Sequence, residues 1–373
     1  LGRFTSSKSA DFYWSQLRRT GYAAGFHGLF SLSIQDQDGV LRSGWSSSVD
    51  DYAISGGWTL DGERLVVADS AGGVYVFNGK SGEIIWSLKE VHEGGVLAIS
   101  IHPSGEQFAT AGQDGRVMIF QIAEKNSEKV IDVGNAWVET VAWSPDGELL
   151  ACSCSKQVGV YSSTGDEVWR SNDHPSTVST IAWSKKLELA TACYGQVSFY
   201  DSSAGKLKQK LEWQGSLVSM VLSSDGDIVA CGSQDNSVHF WRRSTGKDSK
   251  MSGYPFKPSA LAFDDSGTFL ATGGSEGVTV WNFKGDGPEG TTPLSLEHHS
   301  QPITCLSFAN RGVNLASGSR DGTIALWKVD PEKREHKLGF ARVESSISKL
   351  YWRPDDRALA ALDGQGDVNV WRI

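Results

Sequence analysis

The sequence predicts an all-β protein, a closed β-propeller of four-stranded blades, eight of them, with seven as the alternative. Three observations carry this reading. A unit of about 40 residues recurs along the chain, within the range of propeller repeats. Inside each unit, short runs alternate apolar and polar residues with period two and are bounded by Gly, Asp and Asn turn signals. The last unit ends after three strands, and a matching fourth strand stands near the start of the chain.

The clearest unit covers residues 298–330, HHSQPITCLSFANRGVNLASGSRDGTIALWKVD. Residues 302–308 form a first strand with apolar side chains spaced by two, and Gly312 marks the turn after it. Residues 315–319 form a second strand. Arg320-Asp321-Gly322 is a tight turn of the kind that Asp-Gly favours. Residues 323–327 form a third strand closed by Trp327, Asp330-Pro331 breaks the pattern, and a fourth strand is expected around 336–340.

The other units start near Asp51, Gly95, Ala136, Ser176, Gly215, Phe256 and Glu344. Their first strands carry Trp58, Ile101, Trp143, Trp183, Leu222, Phe263 and Trp352, in the place of Phe308. Their third strands end at Phe77, Phe120, Tyr161, Tyr200, Trp241, Trp281 and Trp371, in the place of Trp327. One such unit cannot bury both apolar faces, whereas radially stacked units cover one another. Residues 38–45 resemble the fourth strands at 81–86 and 164–169, so 40–45 are placed beside the C-terminal strands, closing the ring.

With these motifs in view the chain resembles the WD-repeat family. The resemblance implies that His299, Ser317, Asp321 and Trp327 form that family's structural tetrad, in which Trp donates to the hydroxyl, the hydroxyl contacts His, and His contacts the turn Asp. Other units keep parts of it: His92, Thr110 and Asp114 with Phe120 in place of Trp; Asp235 and Trp241 with Cys231; Thr272 and Trp281 with Glu276 in the turn. Asp173-His174 opens a unit whose turn, Tyr194-Gly195, has no Asp. The Trp-Asp dipeptide itself is absent, Tyr200-Asp201 being nearest. Ser, His and Asp are also the residue types of a hydrolase triad. No G-x-S-x-G elbow surrounds Ser317, so the structural reading is the stronger.

Composition narrows the function classes. The formal charge of −9 disfavours a phosphate footprint, so nucleic acid is not the expected partner. No apolar run approaches the roughly 20 residues that span a bilayer, so no transmembrane segment is expected. The Arg242-Arg243 pair runs into a Ser-Thr-Gly turn and reads as solvated rather than lipid-binding. Cys152, Cys154, Cys193, Cys231 and Cys305 all fall in strand positions and read as small buried residues. None has a His or Cys at a zinc-ligand spacing, so no metal and no cofactor are expected. Reduced cysteines favour the cytoplasm or another reducing compartment, an organellar matrix or stroma included.

Residues 1–26 are expected to form a basic, aromatic extension outside the ring of 27–373. They carry Phe4, Phe12, Tyr13, Trp14, Tyr22 and Phe26, and Arg3, Lys8, Arg18 and Arg19 face only Asp11. Such a tail should dock on an acidic surface, its own or a partner's. Residues 29–34 and 40–45 read as strands joined by a hairpin turn at Asp36-Gln37-Asp38-Gly39. Loops are expected at 284–293, 246–258 and 123–129.

A rigid ring with variable loops reads as a non-catalytic protein-interaction scaffold or assembly subunit. Candidate binding residues are Trp137, Tyr194, Tyr254, Phe256, Arg320, Gln113 and Gln234, large side chains at strand ends. The alternative is a reader of a short or modified peptide in the central mouth. An enzyme would show convergent titratable groups in a pocket, and the sequence displays no such set.

Overall fold

The computed structural model describes residues 37–125, 127–285, 287–333 and 335–373. Every regular element among them is a β-strand, and all ladders between strands are antiparallel. The expected extension over 1–26 and the run at 29–34 lie outside the described residues.

The clearest unit folds as read. Ile303–Phe308, Asn314–Ser319, Thr323–Lys328 and Lys337–Arg342 pair in that order. The Asp321-Gly322 turn needs its glycine, because φ is 79° there and a Cβ would strike the carbonyl of Val343. In the other repeats too, the aromatics and aliphatics assigned to first strands end them, from Trp58 in Ala53–Trp58 to Trp352 in Ile347–Trp352.

Among the described residues the sheets number seven, the alternative count, instead of eight separate blades: five have four strands, one has five and one has six. The six-stranded sheet holds the two repeats that begin near Ser176 and Gly215. Its Leu207–Leu222 strand runs unbroken across residues 213–216, past the expected start of a unit near Gly215. It starts as the fourth strand of one repeat, with Leu211 opposite Val197, and continues as the first strand of the next, with Leu217 opposite Ser233. Trp213-Gln214-Gly215 contains no proline and only one glycine, so nothing there forces the chain out of the β region. The first strands of successive repeats still neighbour one another around a closed cycle, back to Ala53–Trp58 beside Ile347–Trp352.

The ring closes through the chain's early residues. Arg42–Ser48 is the fourth strand against Asp367–Arg372, with Ser43 opposite Trp371 and Trp45 opposite Val370. The strand thus runs two to three residues later than 40–45. Gln37–Gly39, read as a hairpin turn, is instead a strand added to the outer edge of Lys337–Arg342. Gly39 lies opposite Gly339, so neither residue brings a side chain into the contact. Two expected loops shrink as well. Lys247–Met251 inside 246–258 is a fourth strand, and Ser127–Asp132 begins inside 123–129.

Packing joins neighbours rather than filling single repeats. One apolar cluster combines Ala316, Ile324 and Leu326 of one repeat with Leu350, Leu359 and Trp371 of the next, and Leu41 completes it. Tryptophan N–H groups tie the repeats further. In the fourth strands, Trp45, Trp86 and Trp169 donate to the carbonyls of Gly79, Ile122 and Ser202 in the following repeat, at 3.0, 2.9 and 2.8 Å. In the first strands, Trp58, Trp183 and Trp352 donate backward to Tyr351, Ala142 and Ser307. Each bond satisfies a buried donor that would otherwise cost free energy.

Candidate functional site

Antiparallel order within every repeat sends two kinds of connection to the same end of the ring. The link from one repeat's fourth strand to the next repeat's first strand, and the turn between second and third strands, share one face. Trp137, Phe256, Arg320, Gln113 and Gln234 stand on these connections, and Tyr194 stands at the same end, beside Gly195 of positive φ within Glu188–Asp201. Sequence spacing thus singled out one face without identifying it as such. Trp137 is 54% exposed, Tyr194 57% and Phe256 49%. Gln234 and Arg320 are exposed, and Gln113 is half-buried against Gly94. Tyr52, 40% exposed, belongs with them and escaped the reading. Its signal was there, since it precedes Ala53 as Trp137 precedes Val138. Among the described residues these four are the exposed large aromatics, and all lie on this face, while the opposite connections carry the exposed Leu60.

Tyr254 is corrected. It is largely buried, and its hydroxyl stands 2.8 Å from the Thr272 hydroxyl and accepts the Trp281 indole N–H at 2.9 Å. A tyrosine therefore occupies the place that a histidine holds elsewhere, with its hydroxyl turned inward to Thr272 and Trp281.

Towards the inner edge of the face a recess of about 560 Å³ opens between three consecutive repeats. Ser176, Thr177 and Tyr194 contribute from one repeat, Ser216 and Gln234 from the next, and Glu139 from the one before. The pairing of Tyr194 with Ser216 in the merged sheet holds two of its walls together.

The buried polar networks lie behind this face. Trp327 donates to the Ser317 hydroxyl at 2.8 Å, and Ser317 meets His299 Nε2 at 2.7 Å. His299 Nδ1 lies 2.6 Å from the Thr323 hydroxyl, which donates to Asp321 at 2.5 Å. The histidine therefore reaches the turn aspartate through Thr323, not directly as expected. One proton arrangement satisfies the chain: indole N–H to Ser317, Ser317 to Nε2, Nδ1–H to Thr323, Thr323 to carboxylate. Burial works to raise the Asp321 pKa, but donors from Thr323 and Ser300 outweigh it and hold the carboxyl well below its usual range. Ser317 is fully buried, so no substrate carbonyl reaches its hydroxyl.

The partial sets differ in how they are completed. His92 contacts Asp114 directly at 2.9 Å and Thr110 at 2.8 Å. His174 lacks an aspartate and turns to the Lys156 carbonyl, with Thr191 at its other nitrogen. In the Trp241 repeat, Asp235 accepts from Ser237 and Lys250. There His239 is stacked on Trp213 at 3.8 Å and edge-on to Trp241 at 4.3 Å. The Asp248 carboxylate comes within 3.1 Å of its Nε2, but too far off axis for a hydrogen bond. All five cysteines are buried and free. Burial pushes the Cys152 and Cys305 thiols up to about 12. Among the described residues no group of three His, Cys, Asp or Glu is placed to hold a metal.

These histidines make the ring acid-sensitive. Burial lowers His299 and His239 to about 4, and lowers His92 and His174 as well. An unfolded histidine titrates near 6.5, so between about pH 6.5 and 4 the unfolded chain holds more protons than the folded one. The stability these groups contribute is complete above pH 6.5 and is lost as the pH falls towards 4. Asp363 and Asp367, raised by burial, act in the opposite sense near the bottom of that window. The expected result is a lower thermal midpoint at pH 5 than at pH 7, with a shallower slope in His299→Gln. Equal midpoints at both pH values would contradict it.

This fold, with its tetrad, defines the class. The family model described as "WD domain, G-beta repeat" matches residues 74–121, 128–162, 205–242 and 290–328, so WD repeats are present in this β-propeller fold. Actin-interacting protein 1 of Caenorhabditis elegans is 25% identical over 332 residues, covering 85% of this chain and 52% of that protein. The chain thus spans about half of that relative. Serine-threonine kinase receptor-associated protein of Dictyostelium discoideum is 27% identical over 304 residues, covering 78% of this chain and 98% of its own length. A crystal structure of the computationally designed Ika8 protein superposes with a TM-score of 0.75 at 21% identity, over 89% of this chain and all of that one, a likeness of fold. WD-repeat propellers typically bind protein partners. No helix among the described residues is long and apolar enough to cross a membrane.

Proposed function

We propose that this protein is a non-catalytic interaction scaffold that engages a protein partner through the face bearing Trp137, Tyr194, Phe256 and Tyr52. The observation that carries the reading is the gathering, on one end of the ring, of the four exposed aromatics among the described residues. Aromatic side chains are the usual anchors of protein interfaces, because they bury large area at small entropic cost. The names of the two relatives above, an actin-interacting and a receptor-associated protein, fit a binding role. The five buried, free thiols fit a reducing compartment.

The test is recovery of partners by the intact ring and by two variants. Combined Trp137→Ala, Tyr194→Ala and Phe256→Ala should lose them, with the thermal midpoint little changed. Leu60→Ala on the opposite face should keep them. The reverse pattern would place the interface on the other face. The second reading, recognition of a short peptide in the mouth, is favoured by the recess between the repeats.

A further inference from the structure

We propose that the recess at Glu139 and Tyr194 takes a single lysine or arginine side chain from an extended partner segment, an inference that rests on the interaction face just described. Its lining holds one charged side chain, the Glu139 carboxylate, among hydroxyls, an amide and a tyrosine ring. Two carboxylates on the same end of the ring already have partners, Asp235 pairing with Lys250 at 2.8 Å. Asp173 accepts from the Gln157 amide at 2.9 Å. Glu139 is exposed and has no such partner among the described residues.

A cation seated there meets three complementary features. The Glu139 carboxylate supplies the opposite charge in a partly screened recess, where Coulomb attraction is stronger than in open water. The exposed ring of Tyr194 offers its electron-rich face to an ammonium or guanidinium. The Ser216 and Thr177 hydroxyls and the Gln234 amide oxygen can accept the remaining N–H donors.

The walls are also set in advance. Tyr194 donates its backbone N–H to Ser176 Oγ at 2.8 Å and lies opposite Ser216 in the merged sheet. Ser179 Oγ bonds the Leu217 carbonyl at 2.8 Å, tying the same two repeats at the floor. Less ordering is then needed when a ligand enters. The volume falls in the range of sites that bind small groups. The merging of two repeats into one sheet, unusual in this ring, coincides with the recess and keeps it in shape.

The experiment uses the full chain and an immobilised set of neutral decapeptides carrying one central Arg, Lys, Gln or Glu. Arg and Lys peptides should bind at least about tenfold more tightly than Gln and Glu peptides. Glu139→Gln should remove that preference, Tyr194→Ala should weaken the cationic peptides, and Leu60→Ala should change nothing. Thermal midpoints of all variants establish that each is folded. Raised salt should weaken the cationic peptides selectively. Equal binding of all four peptides, an unaltered preference in Glu139→Gln, or no binding of cationic peptides by the wild type would each overturn the proposal. Should the aromatic-face variant still lose its protein partners in that event, the scaffold reading stands and only the cation site falls.

Discussion

Removing residues 1–48 is expected to abolish the cooperative thermal transition of the ring, whereas removing residues 1–36 leaves the closing strand in place. The longer deletion takes away Arg42–Ser48, which pairs along Asp367–Arg372 and supplies the fourth strand of the last repeat. It also removes Leu41, fully buried, and Trp45, whose indole donates to Gly79 across the next interface. Trp371, now fully buried, would face water along an open edge. Truncating a buried Trp or Leu to Ala costs about 2–5 kcal/mol each, and the lost ladder adds to that. Set against the roughly 5–15 kcal/mol by which a native protein is stable, this is enough to unfold it. The open edge should also pair with other chains, so the truncated protein should elute as aggregates. Trp45→Ala is the graded version, expected to cost about 3–5 kcal/mol. A truncated chain that stays monomeric and melts at the wild-type midpoint would show that the ring closes without this strand.

Trp327→Ala should be the most damaging single change in the clearest repeat, at about 3–5 kcal/mol from the cavity alone. The ring is 3% exposed and packs with Leu315, Phe308 and Ala325 against the preceding repeat's Ala271 and Val280. Its indole is also the first donor of the relay through Ser317, His299 and Thr323 to Asp321. Trp327→Phe separates the two contributions, since it keeps most of the volume and drops the donor. Its expected cost is about 1 kcal/mol, the net worth of one hydrogen bond. The Thr110 network, with Phe120 in that position and no indole, shows that the histidine contacts persist without the donor. Denaturant midpoints for the two variants measure the split. A loss below about 1 kcal/mol for the alanine variant would mean that the tryptophan carries little of the packing.

Much of the fold was legible because the repeat grammar is local. Residues such as Trp143, Tyr161, Trp281 and Phe308 end or close strands, and Gly322 sits where only a residue tolerant of positive φ fits. Period-two burial and turn chemistry leave their mark within a few residues, whatever the rest of the chain does. The closing strand was also visible in outline. Its register was not, because a bulge between Ser43 and Trp45 shifts it, and a bulge answers to the partner strand.

The site was legible only in part. Trp137, Tyr194 and Phe256 stood out as large side chains at strand ends, yet Tyr254 stood out equally and proved to be a buried partner of Thr272 and Trp281. Exposure at a strand end depends on the neighbouring repeat, which no local pattern encodes. Glu139 gave no sign, because a polar residue inside a first strand is ordinary until two other repeats come around it to form a recess.

The sequence by itself determined that the chain makes repeated four-stranded units, which aromatics end their strands, and that the first residues of the ring complete the last unit. These follow from side-chain alternation, glycine conformations and an unpaired final hairpin, all properties of short segments. The tertiary structure alone decided that two repeats merge through one unbroken strand, that the tetrad histidine reaches its aspartate through Thr323, and that the exposed aromatics among the described residues converge on one face beside a recess lined by Glu139. Those outcomes depend on distances between residues from different repeats, and only closure of the ring sets them.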